Sequence, residues 1–399
     1  MNGYKYVKRI LAILFLVILA VGYLRKSTVT EIKAVSKYLS AATLKKSSQT
    51  IDALETGYSS DFPYQRSLID LNGVSARLLR LRSLYKTAGV NITRDYRIVT
   101  QYDETSTDYE VEQVLKLKKF LDKNDIRFLY VNKPTKYLND SFFYAEFGEQ
   151  SYTNRNTDKL VSRLREKDVP VIDLRENIQE EGLDIKDLFY RTDHHWTTPA
   201  ALWATGIIAD GLNKYCGYGI DPSLYDESNY DFKTWKECWL GEQGRKVGET
   251  YVGLDDFTKI TPKFSTDYTF KSKDGNVEGT FADFIKEDTF DLEKDVYENR
   301  SWHYSYDQRN CINNNADYGK VLLLGDSFDQ TTEPFLSLGV HEIDSIILRS
   351  RGKSFNLKKY IKKHHYDTVI VCYAQLMIGA HDDPDSANYK MYSFIKDKK

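Results

Sequence analysis

The sequence predicts an α/β domain built on a parallel β-sheet with helices on both faces. Two observations carry this. Short apolar runs without alternation recur, as in FLYVNK (128–133), VPVIDL (169–174), VLLL (321–324) and DTVIVCYA (367–374). Amphipathic stretches of helical length lie among them. A strand covered on both faces shows a continuous apolar run, and strands alternating with helices build parallel sheets through crossover units.

The elements follow in chain order. Lys5, Lys8 and Arg9 precede an uncharged run from Ile10 to Leu24, which Arg25 and Lys26 close. As a helix this run rises about 23 Å, and its Tyr and Lys flanks extend its reach at the interfaces. Residues 1–26 are therefore expected to be an uncleaved membrane anchor. A cleavable signal peptide is the rival, given the small-x-small pattern Ala20-Val21-Gly22. Either reading places the rest of the chain outside the cytoplasm, as a single-pass protein of the cell membrane if the anchor stays. Residues 27–60, rich in Ser, Thr, Lys and Ala, read as a polar stalk, and 61–399 as one domain.

Within that domain, Thr107 and Glu110 form a capping-box pattern ahead of Val111, Val114, Leu115, Leu117 and Leu121. A second helix is expected in 156–168, a strand in SIILRS (345–350) and a helix in 356–365. Between about 217 and 319 the rhythm breaks. That stretch carries Tyr225, Tyr230, Trp235, Trp239, Tyr251, Tyr268, Trp302, Tyr304 and Tyr306. It reads as a β- and loop-rich insertion over the core, placed to wall a cleft at the carboxyl ends of the strands.

Composition bounds the partners. The balance of 56 Lys+Arg against 58 Asp+Glu leaves no basic excess, which argues against nucleic acid. The 30 tyrosines suit either sugar surfaces or an aromatic core. Cys216, Cys238, Cys311 and Cys372 make no metal-binding spacing. Cys372 lies inside an apolar strand, and a Cys216–Cys238 pairing stays open.

Two motifs carry chemistry. In VLLLGDSF (321–328), Gly325-Asp326-Ser327 turns at the carboxyl end of a strand and presents a serine hydroxyl at the top of the sheet. Gly, Asp and Ser are also ordinary turn residues. In YRTDHHWTTPAA (190–201), Asp193, His194 and His195 precede a helix start with Thr198 as cap and Pro199 at the first helical position. Ala200, Trp203 and Ile207 are expected on one face of that helix. In an extended loop Asp193 and His195 point the same way, so the acid can orient the imidazole while its other nitrogen faces a nucleophile. His194 is then expected to point away. A serine needs such a base, and the base needs an acid behind it.

RTDHHWT followed far downstream by LLLGDSF resembles the bacterial DHHW family. Its members are relatives of the alginate O-acetylation proteins AlgJ and AlgX, within the SGNH hydrolase-like group. The resemblance begins near FPYQRSLIDLNGVSARLL (62–79), and NKPTKY (132–137) is similar to an element of that family. It implies a three-layer SGNH-like fold with Ser327 as nucleophile, His195 as base and Asp193 as orienting acid. The order is permuted, with the acid and base preceding the serine. The Gly and Asn blocks that complete the oxyanion hole in ordinary SGNH hydrolases are not recognisable. Lys136 and Arg349 are candidate substrate contacts, solvated surface charge being the alternative for both.

The implied activity is O-acyl transfer, of acetyl groups by the resemblance, to a cell-surface or secreted polysaccharide, without metal or cofactor. A membrane-bound O-acyltransferase is the acyl supplier that the resemblance implies. A carbohydrate acetylesterase with the same triad is the alternative. Two other classes stand beside it: metal-dependent hydrolysis by Asp193, His194 and His195 with His381, Asp382 and Asp383, and a non-catalytic scaffold gripping glycan through its aromatics.

Overall fold

Eight strands make the central sheet of this computed structural model. In chain order they are β1 (Arg127–Lys133), β2 (Val171–Asp173), β3 (Tyr268–Phe270), β4 (Val277–Gly279), β5 (Asn310–Asn313), β6 (Lys320–Leu324), β7 (Glu342–Ile346) and β8 (Thr368–Ala374). They lie in the order β2-β1-β8-β6-β7-β5-β3-β4. The first five of that order pair in parallel, and β5, β3 and β4 extend the edge in antiparallel pairing. The structure describes residues 65–272, 274–285, 292–297, 310–352, 354–379, 384 and 386–395. The expected anchor (1–26) and stalk (27–60) lie outside them. Among the described residues no helix is long and apolar enough to cross a membrane. The chain divides into two compact units, Met1–Asn72 and Gly73–Lys399, and the sheet belongs to the second.

The continuous apolar runs are explained by two cores. Val321 and Leu323 of β6 face one, with Leu129, Val131, Ile370 and Cys372. Leu322 and Leu324 face the other, with Phe128, Tyr130, Val369 and Val371. Helices α1 (Asp108–Asp122), α2 (Thr153–Arg165) and α5 (Leu357–His364) cover the second core; α3 (Thr198–Cys216) and α4 (Asp329–Leu336) cover the first. The result is three layers. Each fully buried aliphatic side chain contributes roughly 1.5–3 kcal/mol, so β6 is held from both faces.

Several local expectations are corrected. Thr107 precedes α1 without a side-chain cap, and Glu110 is buried, accepting the Gly379 N–H at 2.8 Å. A tertiary partner has displaced the capping box. Thr197, not Thr198, caps α3, accepting the Ala200 N–H at 3.4 Å. The buried face of α3 is Ala201, Ala204, Thr205, Ile208 and Leu212, while Trp203 and Ile207 are half-buried on its flank. Gly211 sets the close approach: a Cβ there would lie 2.2 Å from Ile172 Cδ1. The strand expected in 345–350 ends at Ile346, and Leu348–Ser350 forms a 3-10 turn.

The segment 217–319 divides. β3, β4 and β5 continue the central sheet, while Tyr230–Trp239 and Asp255–Pro262 form a separate antiparallel ribbon with a bulge between Trp235 and Trp239. Tyr225, Tyr230, Trp239, Tyr251 and Tyr268 are core residues, and Trp235 is half-buried. The five buried aromatics are packing and present no face to a glycan. Trp302, Tyr304 and Tyr306 lie outside the described residues. All four cysteines are free thiols, so no bond joins Cys216 to Cys238.

Candidate active site

Ser327 follows β6, a strand with parallel neighbours on both sides. From Val321 to Leu338 every residue is buried except Ser327, which is half-buried. Gly325 is required by close approach: a Cβ on it would sit 2.4 Å from Asp329 Oδ2. The turn therefore lifts one hydroxyl out of an otherwise sealed run.

The histidine loop reaches the same point. Phe189 and Trp196 form a bridge that closes it at the base, with the Thr197 N–H donating to Leu188 O at 2.8 Å. His195 Nε2 lies 2.7 Å from Ser327 Oγ, and His195 Nδ1 lies 2.6 Å from Asp193 Oδ1. The same Asp193 oxygen accepts the His195 N–H at 3.0 Å, and Oδ2 accepts the Glu242 N–H at 2.7 Å. Burial works to raise the Asp193 pKa. The facing His195 and the Glu242 N–H outweigh it and hold the carboxyl well below the usual range.

Phe328 joins the two motifs. Its ring packs against His195 at 4.8 Å and Trp196 at 5.5 Å between centroids, and its carbonyl accepts the Trp196 Nε1–H at 3.3 Å. His194 does not point away, because the loop is bent. Its ring lies 3.9 Å from that of His195, and its Nδ1 is 3.5 Å from Asp193. Burial pulls His194 down to about 4, and His195 adds to the effect.

The loop has anchors that its own sequence does not announce. Asp255 accepts the N–H groups of Arg191 at 2.6 Å and Thr192 at 2.8 Å, and the Thr192 hydroxyl at 2.5 Å. Gly241 N–H donates to Thr192 Oγ1 at 2.8 Å, and Gly244 N–H donates to Thr192 O at 2.8 Å. A Cβ on Gly241 would lie 2.4 Å from the Asp193 Cβ. The Gly-x-x-Gly spacing in LGEQG (240–244) is the one sequence signal of this close approach.

Lys136 is half-buried and donates to Ile98 O at 2.8 Å and Arg191 O at 3.1 Å. Burial pulls its ammonium down to about 7, the Asp255 and Asp193 carboxylates opposing. With Thr100, Tyr102, His194, Gln243 and Leu376 it bounds a cavity of about 20 Å³, room for roughly one water. Arg349 is half-buried in its 3-10 turn, Nη1 3.6 Å from Met377 Sδ. Its turn follows β7 and Met377 follows β8, the two neighbours of β6. The contact joins the segments that follow the two strands flanking β6.

Asp193, His194 and His195 also bring one ligand atom each within 4.8 Å of one another. Both Asp193 oxygens and both His195 ring nitrogens already have protein partners, which leaves this set poor in lone pairs for a metal. His381, Asp382 and Asp383 lie outside the described residues.

Residues 93–237 match the SGNH hydrolase-like domain of the acetyltransferase AlgX, a span that includes Asp193 and His195 and stops before Ser327. The structure of Bacillus cereus PatB1 with a sulfonyl adduct aligns over 77% of this chain and 98% of its own, with a TM-score of 0.60 at 18% identity. A DHHW family protein from Eubacterium siraeum aligns over 77% of this chain and 96% of its own, with a TM-score of 0.54 at 17% identity. At these identities the likeness is one of fold. No curated protein matches the sequence.

Proposed function

We propose that this chain, which carries an SGNH hydrolase-like domain of the AlgX kind, is a serine-dependent O-acyltransferase. Its acceptor is a hydroxyl of a cell-surface or secreted polysaccharide, and it works outside the cytoplasm. The observation that carries the reading is His195, which bridges Asp193 and Ser327 at 2.6 and 2.7 Å.

The chemistry follows from that bridge. Ser327 Oγ attacks the carbonyl of an acyl donor while His195 Nε2 takes its proton. Asp193 holds the opposite N–H and stabilises the imidazolium that forms. The leaving group takes the proton from Nε2, and an ester remains on Ser327. A sugar hydroxyl then loses its proton to His195 and attacks that ester, and Ser327 recovers its proton as it leaves. Among the described residues no protein acceptor engages the Ser327 N–H, which makes it the first oxyanion donor in this proposal. Arg349, on the turn after β7, and Lys136, at the small cavity beside His194, are the proposed substrate contacts. A membrane-bound O-acyltransferase is the proposed acyl supplier.

The test uses p-nitrophenyl acetate as donor with cello- and chito-oligosaccharides as acceptors. Nitrophenol release that depends on Ser327 and His195, with acetyl appearing on sugar, supports transfer. Release with acetate alone as product moves the assignment to a carbohydrate acetylesterase with the same triad, since water exclusion separates the two. Release that survives Ser327→Ala removes the serine mechanism.

A further inference from the structure

Lys133 ends β1 with its side chain fully buried, yet it is an ion. Its Nζ lies 2.8 Å from Asp326 Oδ1 and 2.5 Å from Asp329 Oδ2. An unpaired ammonium there would be strongly disfavoured, so the two carboxylates are its condition of burial. Burial acts to lower the Lys133 pKa, and Asp326 and Asp329 outweigh it and raise it.

The carboxylates use their other lone pairs on the backbone around the nucleophile. Asp326 Oδ1 accepts the Phe328 N–H at 3.0 Å, and Oδ2 accepts the Ala374 N–H at 2.7 Å. Asp329 Oδ2 accepts the Asp326 N–H at 2.9 Å. The residues on either side of Ser327 are thereby pinned. β1 and β6 are not neighbours, because β8 lies between them. The cluster staples the carboxyl ends of all three strands. Lys133 Nζ also lies 5.5 Å from the centroid of the Phe328 ring, which packs against His195. Two further titratable neighbours lie on β8: Cys372, whose thiol burial pushes up and keeps neutral, and Tyr373, whose hydroxyl is pushed up by burial and by the two carboxylates.

We infer that Lys133 is a positioning residue for Ser327, acting through Asp326 and Asp329 to fix the nucleophile's turn against the base. This inference rests on the reading of Ser327 as the nucleophile. It assigns a function to the first lysine of NKPTKY, three residues before the candidate substrate contact Lys136.

The test is the rate at which phenylmethanesulfonyl fluoride modifies Ser327 in the full chain, followed from pH 5 to pH 9, with circular dichroism reporting the fold. A misplacement of about 1 Å is enough to cost roughly 100-fold, so Lys133→Met should slow modification by about that factor while the protein stays folded. Burial already holds the Asp329 carboxyl up at about 6 against the pull of Lys133, so loss of the cation should move that ionisation further up the pH profile. Lys133→Arg, which restores a cation, should recover most of the rate. Wild-type rate and profile in folded Lys133→Met would overturn the inference. If Lys133→Met does not fold, Asp329→Asn serves, since it keeps the lysine and one partner. Slowed modification with an altered pH profile supports the inference there, and an unchanged rate overturns it. Absence of any adduct on Ser327 in the wild type is a separate outcome: it overturns the nucleophile assignment, and this inference with it.

Discussion

The backbone N–H of Glu242 donates to Asp193 Oδ2 at 2.7 Å, from a residue 49 positions away in the chain. The Asp193 carboxylate is thus held from both sides, by the His195 imidazole and by a loop that must come close enough to donate. Gly241 is what permits the approach. Gly241→Ala should cost about 1–3 kcal/mol of stability by overpacking and lower ester turnover beyond what unfolding explains. Urea unfolding and p-nitrophenyl acetate turnover on the same preparation measure both; an unchanged turnover would show that the loop is dispensable.

Asp193→Asn should fold normally and turn over p-nitrophenyl acetate about a thousand-fold or more slowly, because an amide favours the wrong imidazole tautomer. Ser327→Ala and His195→Ala should each remove nearly all turnover, and the double variant should be no worse than either. Additive losses would mean that the two do not act as a unit.

The imidazole of His194 gives a stability prediction with a definite sign. Its folded pKa, about 4, lies below the ordinary 6.5. Between those values the unfolded chain binds the extra proton, so stability falls as pH drops through that window. The contribution of Asp193, whose folded pKa is also depressed, is lost lower down, as pH falls through that value. The urea midpoint of the wild type should therefore fall more steeply from pH 6.5 to pH 4.5 than that of His194→Asn. Parallel curves would contradict the assignment.

Trp239 is 2% exposed and meets Tyr190 edge-on at 4.4 Å, one residue before Arg191 on the histidine loop. Trp239→Ala should cost about 3–5 kcal/mol and impair even a small ester, where a glycan-facing residue would spare it. Normal thermal stability with normal ester turnover would restore the surface reading.

Much of this was legible in the sequence for local reasons. A strand buried on both faces has no polar side to show, so β1, β6 and β8 stand out as unbroken apolar runs. The Gly-Asp-Ser turn and the Asp-x-His spacing are also local. What holds them is not. Asp255 and Glu242 reach the histidine loop from 49 to 64 positions away, and an acid accepting a backbone N–H leaves no periodicity behind. Burial of Trp239 leaves no signature in the sequence, because aromatic residues serve cores and sugar surfaces alike. Thr107 lost its expected cap partner when Glu110 turned to Gly379.

The most direct measurement is the site of acylation. The full chain is mixed with p-nitrophenyl acetate, quenched in acid within the first turnovers, digested, and read by peptide mass spectrometry. The account predicts a single acetyl ester on the peptide carrying Ser327, absent in Ser327→Ala and in His195→Ala. Acetyl found only on other residues, or nitrophenol released at the wild-type rate by Ser327→Ala, would contradict it.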